Sequence, residues 1–138
     1  VQNLNIKMRK IKSFKLFENV SNIPTEDEVK YSLIDLYDLG YDIDISFVET
    51  NICIEIYKNS TTQVEYPDFK VFDIVDCIIT IIDFFNLKYD GFSYNLLYFK
   101  RANPNENGRY INIEGDLDLF FENNKDLTTT GVLLYLNF

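Results

Sequence analysis

A chain of 138 residues with 46% hydrophobic content is long enough for one domain with a sizeable core and too apolar for wholesale disorder. Its 13 Lys and Arg stand against 22 Asp and Glu, a formal charge of -9, which argues against a broad nucleic-acid-binding surface while leaving room for a local basic patch or a carboxylate-bearing nucleic-acid mimic. Histidine is absent, which excludes His-based acid–base catalysis, Ser-His-Asp and Cys-His nucleophiles and imidazole zinc sites.

Met8–Val20, MRKIKSFKLFENV, with Lys7 just before it, holds much of the scarce positive charge: Lys7, Arg9, Lys10, Lys12 and Lys15 are interleaved with Ile11, Phe14, Leu16 and Phe17. Such a stretch reads as a short first element docked on the core with its lysines in water. The functional alternative is a basic aromatic arm for a partner, a membrane surface or a phosphate backbone. The string resembles the openings of small uncharacterised proteins of large tailed bacteriophages and environmental phage sequences. That resemblance spans Met8–Val20 alone; it implies a phage origin and names no activity. Residues 1–20 are therefore set apart as a basic aromatic N-terminal segment ahead of a single α+β domain over 21–138. Val1–Lys7 precede the first methionine and carry little weight.

Thr25 and Glu28 have the spacing of a reciprocal helix cap, with Glu26 and Asp27 on the favourable end of the dipole. Val29, Leu33, Leu36 and Tyr37 then share one face, Asp27, Tyr31, Asp35 and Asp38 the other, and Gly40 ends the helix. After Gly40 the period drops to 2. Ile43, Ile45 and Phe47 alternate with Asp42, Asp44 and Ser46, a turn is expected at Thr50–Asn51, and Ile52, Ile54 and Ile56 alternate with Cys53, Glu55 and Tyr57. Lys58–Pro67 reads as a loop.

The stretch Asp68–Asn86 is the expected central helix, with Asp68 as its cap. Val71, Ile74, Val75, Ile78, Ile81, Ile82 and Phe85 make one broad apolar face, extended by Phe72 and Ile79, and Asp73, Asp76, Thr80 and Asp83 share the opposite strip. Three aspartates inside the run argue against a membrane span. Phe92–Lys100 follows as a strand with Tyr94, Leu96 and Tyr98 on one side and Asn95, Leu97 and Phe99 on the other. Ala102–Gly108 reads as a turn, Arg109–Glu114 as a strand, Gly115–Leu127 as either strand or short helix, and GVLLYLNF as a terminal strand. The expected fold is an α+β two-layer sandwich: a mainly antiparallel sheet with two principal helices on one face, in the approximate order αββαβββ.

The chemistry is mostly negative. No phosphate-binding glycine motif is present. Cys53 and Cys77 read as free thiols, which with no visible signal peptide suggests the cytoplasm. Three acidic groups invite a divalent ion: Asp73, Asp76 and Asp83; Asp42, Asp44 and Glu55; and Glu114, Asp116 and Asp118. None has the spacing of a known metal loop, so no cofactor and no metal is expected.

Ten tyrosines among 16% aromatic residues point instead to protein contact, because a phenol bridges apolar surface and water. The expected function is a non-enzymatic protein-interaction or assembly module, binding a protein partner or itself. Asp42, Asp44, Glu55, Tyr57, Tyr94, Tyr98 and Tyr135 form the candidate surface. A carboxylate-dependent, metal-assisted hydrolase and a nucleic-acid binder or mimic are the alternatives.

Overall fold

A computed structural model describes residues 23–59, 67–101 and 107–138. The basic segment, most of the expected Lys58–Pro67 loop and most of the Ala102–Gly108 turn lie outside the described residues.

Helix α1 (Glu26–Ser32) opens as its sequence requires: the Glu28 amide donates to Thr25 Oγ1 at 3.2 Å, and the Thr25 amide reaches back to Glu28 Oε1 at 3.5 Å. One continuous helix was expected to follow, but Leu33 leaves helical geometry at φ -101° and ψ 2°, and α2 (Ile34–Asp38) starts afresh. The Ser32 hydroxyl helps by donating to the Val29 carbonyl at 2.6 Å, a local bond that competes with the helix ladder. Val29, Leu33 and Leu36 still reach the core, whereas Tyr37 is turned out to solvent.

Glu28 does more than cap α1. Lys88 Nζ lies 2.7 Å from its Oε2, and the Tyr89 hydroxyl donates to it at 3.1 Å, tying the first helix to the end of the central one. Burial alone pushes this carboxyl up, but the hydrogen bonds from Lys88 and Tyr89, the Lys88 charge and the Thr25 amide outweigh it and hold it below its usual range. The folded state therefore binds this proton less readily than the unfolded chain. The resulting stabilisation is fully present above the unfolded value of about 4.3 and is lost as pH falls through the lowered folded value. We expect Glu28→Gln to cost about 0.5–1.5 kcal/mol at pH 7. Urea unfolding should show the gap from the parent chain closing as pH falls below the unfolded carboxylate value; a gap that persists in strong acid would mean the carboxylate charge is not what matters.

Strands β1 (Tyr41–Val48) and β2 (Asn51–Lys58) form the expected hairpin, pairing Val48 with Asn51. The turn is Glu49–Thr50, one residue earlier than the expected Thr50–Asn51, and Glu49 takes φ 54° to make it. Asp68 does not cap the central helix. Strand β3 (Phe69–Lys70) intervenes, pairing with β6 (Thr128–Thr129), and Asp68 instead lies 3.6 Å from Arg101. A 3-10 turn over Val71–Ile74 then leads into α3 (Val75–Lys88). Across the turn and α3 together, the seven expected core residues are all buried, and Asp73, Asp76, Thr80 and Asp83 are all exposed.

β4 (Ser93–Lys100), β5 (Arg109–Ile113), α4 (Leu117–Asn123) and β7 (Val132–Asn137) complete the chain. The ambiguous stretch after Gly115 is thus helical, capped by Asp116, whose side chain accepts from the Leu119 amide at 3.2 Å. The main sheet is antiparallel throughout in the order β1-β2-β7-β4-β5, with the helices packed on one face. The mixed α+β class is as expected. The simple order with two principal helices is not: α1, α3 and α4 each have seven residues or more, and the β3–β6 ribbon is an addition.

Antiparallel register stacks the core in rows. Ile45, Ile54, Leu134, Leu96 and Ile113 form one row beneath the helices, and Ile43, Ile56, Val132, Tyr98 and Ile111 the next. Among the described residues no helix is long and apolar enough to cross a membrane.

Candidate functional site

Because side chains alternate along a strand, the residues between those core positions must face the other way. β1 presents Asp42 and Asp44 there, β2 Cys53, Glu55 and Tyr57, β7 Leu133 and Tyr135, β4 Asn95, Leu97 and Phe99, and β5 Tyr110 and Asn112. Asp44, Glu55, Leu133, Leu97 and Asn112 form one continuous row across all five strands. No layer of described residues covers this side, yet it is strongly aromatic. Leu133 at its centre is 7% exposed, and Leu97, Phe99, Tyr57, Tyr110 and Tyr135 are half-buried by one another.

The polar groups on this face are knitted to the rings. The Tyr57 hydroxyl donates to Glu55 Oε2, and the Tyr110 hydroxyl is hydrogen-bonded to that of Tyr57. Burial first, then the bond to Glu55 and its negative charge, push the Tyr57 phenol far above its ordinary value, so it remains a proton donor. That donation matters because Asp44 stands directly opposite Glu55, a like-charge pair across strands. Gly131 makes room for the tyrosines: a Cβ there would sit 3.2 Å from the Tyr57 ring and 3.3 Å from the Tyr110 hydroxyl. Phe99 packs edge-on against Tyr110, with centroids 5.2 Å apart.

Five of the seven residues singled out in the sequence, Asp42, Asp44, Glu55, Tyr57 and Tyr135, therefore share this face. Tyr94 and Tyr98 do not. Both lie on the helix-covered side with Leu96, packed against the core, and Tyr94 lines a groove of about 530 Å³ with Asn86, Glu114 and the open-face Asn112. The candidate surface left out Leu97, Phe99, Tyr110 and Leu133. Their signal was the alternation itself, since each flanks a core position on its own strand.

Cys53 is on the open face and Cys77 is in α3 on the other side of the sheet; both are free thiols. Burial pushes the Cys53 thiol up, a hydrogen bond with Tyr135 partly offsets the rise, and the Glu55 charge adds to it. Such a thiol is a weak nucleophile at neutral pH. Among the described residues no group of three or more Asp, Glu, Cys or His side chains is placed to hold a metal ion. The fold and this face define an α+β protein with one helical layer and one open aromatic face. Comparison with family models, with curated proteins and with solved structures finds no match to this chain.

Proposed function

We propose that the chain is a non-enzymatic protein-interaction module that binds through the open side of its sheet. The observation that carries this reading is the contiguous half-buried surface of Tyr57, Tyr110, Tyr135, Leu97 and Phe99 around the buried Leu133. Tyrosine offers a large, stiff contact area with a polar tip, which suits a protein partner. The acids on the same face favour a partner bearing cations. They disfavour a phosphate backbone, because open-face positions on the described strands carry three carboxylates and no Lys or Arg. Two free thiols fit a reducing compartment, and the cytoplasm is the proposed location.

A photoreactive benzoylphenylalanine placed at Leu97 tests the reading against the same label at Leu119, which is exposed on α4. The expected result is adducts to polypeptide from position 97 and none from 119. Equal labelling at both positions, or adducts to nucleic acid, would overturn it.

A further inference from the structure

We propose that the open face is occupied by the chain's own basic aromatic segment, residues 1–22, docked within the same molecule. This rests on reading the open face as a contact surface and names its occupant.

Charge is the first argument. Residues 1–22 hold five cations and one acid, so they carry +4; the rest of the chain has eight cations and 21 acids and carries -13. The described ion pairs, Lys30–Glu26, Lys70–Asp126, Lys88–Glu28 and Arg101–Asp68, involve none of the open-face carboxylates. Asp42, Asp44 and Glu55 have no cation partner among the described residues. The segment with the greatest surplus of positive charge thus belongs to the same chain as a carboxylate-bearing face that has none.

Apolar matching is the second. A face bearing Leu97, Leu133, Phe99 and three tyrosines needs a partner that supplies hydrocarbon as well as charge. Ile11, Phe14, Leu16 and Phe17 supply it between Arg9, Lys10, Lys12 and Lys15. Reach is no obstacle. The described chain starts at Ile23, and 22 residues can span up to about 70 Å, against a radius of gyration of about 14 Å for a domain of this length. Tethering then gives the segment an effective concentration of about millimolar, so even weak matching would fill the face.

Zero-length carbodiimide coupling of the full chain, read by peptide mapping, tests this. Amide links from Lys10, Lys12 or Lys15 to Asp42, Asp44 or Glu55 are expected. In a mixture of ordinary and ¹⁵N-labelled chains those links should stay within one isotope. Phe14→Asn with Phe17→Asn leaves every coupling group intact; it should lower the yield of these links about tenfold, a modest share of what two buried phenylalanines contribute. Links from the same lysines to Asp35, Asp76 or Asp83 on the helical layer, mixed-isotope links, or no links to the open face would each overturn the proposal. The label at Leu97 separates the two readings. Adducts only between different chains remove the internal occupant and leave the interaction face standing, whereas no adduct from position 97 removes both.

Discussion

Phe85→Ala is expected to cost about 3–5 kcal/mol of unfolding free energy, a large share of the roughly 5–15 kcal/mol that usually holds such a domain together. Phe85 is fully buried on the core side of α3, and its ring lies 5.0 Å from Phe84, 5.7 Å from Phe138 and 6.2 Å from both Tyr89 and Phe92. Emptying that position takes the central ring out of an aromatic cluster that joins the end of α3 to the last residue of the chain. The rings around it are held by helix, loop and strand together, so they cannot collapse inward to refill the space. Phe84→Ala is the matched control, because it removes an adjacent ring that is only half-buried. Urea unfolding of the two variants should place Phe85→Ala clearly lower. The reverse order would mean that α3 is rotated from the face described.

That helix was legible because the 3.6-residue period was strong enough to survive three aspartates and a dense run of isoleucines. The β1–β2 hairpin was legible for the matching reason: its period of 2 held through both arms. Strand order was not legible. β7, the last strand, sits between β2 and β4, a pairing of segments far apart in the chain that no local period encodes. The helix break at Leu33 was hidden too, since neither proline nor glycine marks it between Val29 and Leu39.

The candidate surface mixed two sides of the sheet for a related reason. Tyr57, Tyr94, Tyr98 and Tyr135 were grouped by residue type, but position within each strand separates them. Tyr57 follows the buried Ile56 and Tyr135 follows the buried Leu134, so both point away from the helices; Tyr94 and Tyr98 flank the buried Leu96 two residues on either side, so both point toward them. Parity was available in the sequence, and applying it to every strand separates the tyrosines of the open face from those of the core.

Thr129 carried no sequence signal, yet Thr129→Val is expected to cost about 1–3 kcal/mol although it preserves shape. The side chain is 3% exposed, and its hydroxyl lies 2.7 Å from the Phe99 carbonyl and 2.9 Å from the Gly131 carbonyl while accepting from the Gly131 amide at 3.2 Å. One hydroxyl thereby fastens the β3–β6 ribbon to β4 and fixes the backbone just before β7. Valine can neither donate to those carbonyls nor accept from that amide, in a place with little access to water. Thr129→Ser keeps the hydroxyl and loses a methyl worth about 0.8 kcal/mol, so serine should be the milder change. Urea unfolding of the pair decides it, and a serine variant less stable than the valine one would show that packing, not hydrogen bonding, holds the corner. The effect should extend to the open face, because Gly131 lies directly beneath Tyr57 and Tyr110. Shifting its backbone moves the tyrosine pair against Glu55, so the same substitution that weakens the fold should also lower adduct yield from a label at Leu97.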